Sequence, residues 1–170
     1  KPFSPSAWPT DVQAIFSAMD NDPDTARKII ISETVLQLQD AGIWGKADVI
    51  CFRAAADLQA SLLDWKRLIN TDAGGDFLAD AGIKDNAGAE YRPDVDGVNY
   101  QLDSCCVATM ISGHTSGNGI IIDIQPGSGG GYTSLYRGAG ASSFEVNSNA
   151  FPGEPATITD PNGMWILQRT

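Results

Sequence analysis

The side chains able to do chemistry are unevenly stocked. Carboxylates are abundant, 17 Asp and four Glu, but His114 is the single histidine. One histidine rules out a zinc site built on several, and any Ser–His–Asp arrangement would have to run through His114. That residue stands in Ser112-Gly113-His114-Thr115-Ser116-Gly117, a run suited to a loop, and no Gly-x-Ser-x-Gly elbow occurs. No spacing singles out two carboxylates as a glycosidase pair. The expectation is a protein that is not an enzyme, with glycan cleavage as the activity to exclude.

Two acidic runs have the oxygen ligands calcium needs. Asp20, Asp22 and Asp24 alternate like the opening of an EF-hand loop, but Thr25 stands where its glycine belongs and Ile31 where its bidentate Glu belongs. Helix capping accounts for them better. Asp94, Asp96 and Asn99 bracket Gly97 and form the candidate calcium set, although a tight turn uses the same residue types. Otherwise no cofactor is expected. Gly127-Ser128-Gly129-Gly130-Gly131 lacks the Gly-Lys-Ser/Thr of a phosphate loop and precedes a strand pattern, so it reads as a hairpin loop.

Sugar recognition uses exposed aromatics as stacking platforms with polar groups nearby. The candidates are Tyr100, Tyr132, Tyr136 and Trp165, with Tyr91 behind them; Tyr132 is the foremost because it ends the glycine loop. Cys51, Cys105 and Cys106 form no disulfide framework, since adjacent cysteines rarely pair; they are expected as buried apolar thiols.

The elements that must hold these residues follow two grammars that change near Pro93. Nine of the 11 Lys and Arg precede it, and 12 of the 18 glycines follow it. In the first part Thr10 is expected to cap a helix carrying Val12, Ile15, Phe16 and Met19 on one face. Asp22 is expected to cap a second helix beginning at Pro23 and running to residue 41. Its stripe Ile31, Val35, Leu38 is widened by Ile29, Ile30 and Leu36, as for a helix packed on more than one side. Gly42 is expected to end it in the left-handed conformation. A third helix is expected over 54–65, with Leu58, Leu62 and Trp65 sharing a face. After a short strand at Phe77-Leu78, β patterns cover 98–102, 106–111, 119–124, 132–136, 143–146, 156–159 and 164–167, separated by glycine-containing turns.

The fold class that follows is α+β: N-terminal helices followed by an antiparallel β-sandwich, jelly-roll-like and incomplete. Its parts are a helical lead-in or platform over 1–69, a linker with a short strand over 70–94, and the β-sandwich portion over 95–170. Met164, Trp165, Ile166 and Leu167 form the last strand, which meets the end of the given sequence three residues later and would be an exposed edge unless more chain follows in the natural protein or another subunit pairs with it. They are therefore the expected assembly interface. Residues 1–9 lack both Met and the apolar core of a secretory signal, as expected of a trimmed or processed chain.

Composition bounds the partners. The 170 residues are 42% hydrophobic, enough for a real core, and carry a net charge of −10. Such a charge repels phosphate backbones and argues against nucleic acid, and no apolar run is long enough for membrane insertion as a helix.

One stretch has a familiar look. Asp40-Ala41-Gly42-Ile43-Trp44-Gly45-Lys46-Ala47-Asp48 is followed by Phe52, by Ala54-Ala55-Ala56-Asp57 and by Leu62-Leu63-Asp64-Trp65-Lys66. Phe77-Leu78-Ala79-Asp80-Ala81-Gly82 and Asp96-Gly97-Val98-Asn99-Tyr100 come after. Over about residues 26–102 the chain resembles virion proteins of tailed bacteriophages; Asp64 stands where their stretch usually has Asn, and Ala47 where it has Leu. The resemblance implies a helical lead-in before a LamG-type, concanavalin-like jelly roll, in a tail-fibre, head-fibre or decoration protein on the exposed surface of the particle. Its implied partners are other virion proteins, further copies of itself, and a cell-surface glycan. The alternative is a free-standing carbohydrate-binding module for host envelope polysaccharide.

Overall fold

The computed structural model describes residues 8–73, 76–84, 91–92, 105–111, 119–124, 132–137, 142–148, 154–156 and 163–169. It is a mixed α+β protein with a few helices and small antiparallel sheets. The chain divides into two compact units, Lys1–Asn70 with Phe77–Ile83, and Thr71–Asp76 with Lys84–Thr170.

The first unit begins with α1 (Thr10–Ser17) and α2 (Thr25–Asp40). Val12 and Ile15 of α1 are buried with Val35 of α2, and Phe16, Met19 and Ile31 pack against them, as the spacing requires. Both caps differ from their expected residues, by one position in α1 and by two in α2. The Pro9 carbonyl already accepts from Gln13 N (3.0 Å), which makes Pro9 the N-cap and Thr10 the first helical residue. Asp24, not Asp22, caps α2 by accepting from Arg27 N (2.8 Å), while Asp22 pairs with Lys28 Nζ at 2.7 Å. The broad stripe of α2 is also narrower than expected: Ile29 and Leu36 are half-buried and Ile30 is exposed.

The end of α2 matches expectation. Gly42 has φ +67°, its N–H donates to Gln39 O and Ile43 N–H donates to Leu38 O, both at 2.9 Å, which is the Schellman arrangement.

The expected helix over 54–65 is cut short. Only α3 (Leu58–Leu62) is helical, capped by the Asp57 carboxylate on Ala60 N at 2.8 Å. The chain then turns extended as β1 (Leu63–Asp64), which pairs antiparallel with β2 (Ile69–Asn70). Leu63 and Trp65 join the core, whereas Leu58, placed on the core face by helical spacing, is exposed. Gln59 of α3 ties this part back to α1: its amide donates to Ala18 O and to Asn70 Oδ1, and its Oε1 accepts from Asp20 N. Short strands β3 (Asp72–Ala73), β4 (Asp76–Leu78), β5 (Gly82–Lys84) and β6 (Tyr91–Arg92) follow, β4 pairing β5 and β3 pairing β6. The strand expected at Phe77-Leu78 is thus present.

The longer strands are β7 (Cys105–Ile111), β8 (Gly119–Ile124), β9 (Tyr132–Arg137), β10 (Ser142–Ser148), β11 (Glu154–Ala156) and β12 (Gly163–Arg169). They form a four-stranded antiparallel sheet ordered β11-β10-β9-β8 and a two-stranded one, β12-β7. β11 lies earlier than the expected 156–159 and takes in Pro155; as the end strand of the described sheet it can accommodate a residue that donates nothing to a ladder. Irregular register between Ile120 and Ile122, and between Glu145 and Ser148, bends the strands on either side of β9. The strand expected at 98–102 lies outside the described residues.

Candidate functional site

The terminal strand is the first candidate surface. β12 is already paired by its own chain: β7 runs beside it from Gly163↔Ile111 to Arg169↔Cys105 without a break. The unpaired border expected of residues 164–167 is therefore occupied along one side. What remains accessible is a face. Directly opposed residues share a face of an antiparallel pair, so Ile166 falls together with Ala108, and Met164 takes the alternate position beside Ile166 on β12. Met164 is 60% and Ile166 63% exposed, and Ala108 and Cys106 are exposed beside them. Trp165 and Leu167 take the intervening positions of β12. Cys106 departs from the expected buried thiols, while Cys51 is half-buried.

In the four-stranded sheet, Tyr132, Ser134 and Tyr136 take alternate positions of β9. Tyr136 has Ser143 and Ile120 as register partners, and Leu135 has Phe144 and Ile122. Trp165 belongs to the other sheet and Tyr91 to β6. Tyr100, His114, the 127–131 loop and the candidate calcium set Asp94, Asp96 and Asn99 lie outside the described residues. Among the described residues no group of three acidic, His or Cys side chains could hold a metal ion. There too, no helix is long and apolar enough to cross a membrane. Of the acidic triplet, Asp24 is spent on a cap and Asp22 on Lys28.

The hairpin made by β1 and β2 is a second surface, which helical spacing hides. Asp64 is completely buried, and its carboxylate accepts from Ile50 N (3.1 Å), Lys66 N (2.9 Å) and Arg67 Nε (2.5 Å). The turn closes with Leu68 N donating to Asp64 O at 2.8 Å. The Asp64-to-Lys66 bond is an Asx turn, a signal readable in principle from an Asp two residues before a bend. Leu68 sits at φ +58°, where a Cβ is unfavourable by about 1–2 kcal/mol. Leu68 and Ile69 are exposed at the tip.

Aromatic packing braces this hairpin. Trp65 meets Phe52 with ring centroids 4.4 Å apart, and Lys66 Nζ lies 4.5 Å from the centre of the Trp44 ring. Two buried polar atoms, Ser32 Oγ and Trp65 Nε1, have no hydrogen-bond partner.

The described residues make a mixed α+β protein with exposed apolar side chains on β12 and at the β1–β2 turn. No protein-family model, no curated protein and no solved structure matches the chain.

Proposed function

We propose that this chain is a structural component of a phage or phage-like particle, a fibre, spike or decoration protein held on the exposed surface by contacts with other virion proteins and with copies of itself. Two things support the reading: the phage-like stretch over about residues 26–102, and the apolar row of Met164 and Ile166 on β12. The second carries it. Two large apolar side chains more than half exposed on one face of a regular ladder are what a subunit contact covers. On this reading the two longer sheets are parts of a jelly-roll-like sandwich, and attachment proceeds through a strand face.

Light scattering coupled to size exclusion, run on the full chain over a range of concentrations, tests this. Concentration-dependent oligomers are expected, reduced by Met164→Thr with Ile166→Thr; a monomer at every concentration overturns the reading.

A carbohydrate-binding module is the second reading, favoured by Tyr132 and Tyr136 both lying on strand β9. Submillimolar binding on a glycan array, abolished by Tyr132→Ala, would place it first.

A further inference from the structure

Two of the short strand pairs are nested in the chain. β3 and β6 pair on the outside, Asp72↔Arg92 and Ala73↔Tyr91, and β4 pairs β5 within them. The outer pair belongs to the second compact unit, whereas 77–83, the tip of the inner pair, belongs to the first. The polypeptide therefore passes from unit to unit at 70–71, 76–77 and 83–84, where a chain of two successive units would pass once.

The tip is held on the first unit at three points. Asp80 N–H donates to Ala55 O at 2.8 Å, and the Asp80 carboxylate accepts from the Arg27 guanidinium of α2 at 2.5 Å. Gly82 is buried, with Arg53 Cβ 3.6 Å from where a Cβ of its own would stand. Asp80 sits at φ +61° and Gly82 at φ +106°, so residues that tolerate a positive φ stand where the turn needs one. Little of this holding is apolar. Leu78, Ala79 and Ala81 are exposed, Phe77 and Ile83 are only half-buried, and the paired Arg27 and Asp80 side chains are 30% and 66% exposed. A segment with few buried apolar contacts and a wet ion pair opens at a lower free energy than a packed core such as that of α1 and α2.

We infer that 77–83 is a releasable strap, latched onto the first unit at Asp80, whose closing ties the motions of the two units together. Closed, it leaves the units joined by three covalent crossings. Open, it leaves the single crossing at 70–71, and two units on one linker move independently. Asp80 is the latch because it carries both the backbone bond to Ala55 and the ion pair with Arg27. Neither the β12 face nor self-assembly enters into it.

Amide hydrogen exchange and NMR relaxation on the full chain test this. Exchange at the Asp80 amide reads the latch, exchange at Val35 reads the core, and relaxation gives a rotational correlation time for each unit. In the wild type a protected Asp80 amide and one shared correlation time are expected. Asp80→Asn should speed exchange at residue 80 roughly two- to fivefold. Gly82→Ala, which strains the backbone at φ +106°, should speed it roughly tenfold, with Val35 unchanged in both. Gly82→Ala combined with Arg27→Gln should split the correlation times. Raising salt from about 0.01 to 1 M should act on the wild-type Asp80 amide as Asp80→Asn does, which keeps the test open if a variant fails to fold. Exchange at residue 80 that answers to neither salt nor Asp80→Asn overturns the latch. Fast exchange there while the units still tumble together overturns the strap, as do separate correlation times in a wild type whose Asp80 amide is protected. Val35 losing protection in step with Asp80, at high salt and in the variants alike, overturns it too, because the tip would then open only with the core.

Discussion

The β1–β2 hairpin and the β7–β12 pair are both two-stranded and antiparallel, yet they are held by opposite means. In the hairpin, two paired residues per strand are too few to fix anything, and the shape comes from one buried carboxylate collecting three donors. In β7–β12 seven consecutive residue pairs run in unbroken register. A short element thus depends on a single irreplaceable side chain, and a long ladder spreads the same task over many replaceable ones. The first should be brittle to substitution and the second tolerant.

That contrast is broken most directly at Asp64. Replacing it with Ala leaves a half-buried guanidinium and two backbone N–H groups without their acceptor, so a loss of about 2–4 kcal/mol is expected in denaturant unfolding. Asp64→Asn keeps one acceptor oxygen and should lose less; an Ala variant as stable as the wild type would show that the carboxylate is not the hub. Ile15→Ala, which empties the centre of the α1–α2 core, should cost about 2–5 kcal/mol by the same measurement. Gly42→Ala has space around its Cβ but retains the left-handed backbone, so about 1–2 kcal/mol is expected from strain alone. On the ladder, Met164→Thr with Ile166→Thr should change stability by no more than about 0.5 kcal/mol each, since both sites are exposed and Thr suits a strand. One effect has the opposite sign: Ser32→Ala removes a buried, unpartnered hydroxyl from mid-helix and should stabilise by about 0.5–1 kcal/mol.

The same contrast explains what could be read from the amino acids. Period-two alternation located β8 at its observed bounds, and β7, β9, β10 and β12 within about two residues, because those strands are made by local pattern and turn chemistry. Gly42 was legible for a similar reason: only a residue without Cβ enters that conformation without strain. The 54–65 segment was not. Leu58, Leu62 and Trp65 have helical spacing, but Asp64 is claimed by Ile50, 14 residues away, and no window along the chain carries that information. The turn that follows has leucine where glycine or asparagine would announce it, which kept the hairpin tip out of the candidate surfaces. The β12 strand was legible from its apolar pattern, but its pairing with β7, more than 50 residues earlier, was not.

Gln59 imposes an order of events on folding. Ala18 O and Asp20 N, at the end of α1, reach their partner across 41 and 39 residues of chain. A nascent polypeptide that has released only the first two helices must leave those groups to water, however well Val12, Ile15 and Val35 have already met. The segment carrying Gln59 therefore works as a late clasp, and the opening helix stays prone to fraying at its tail until synthesis has passed that point.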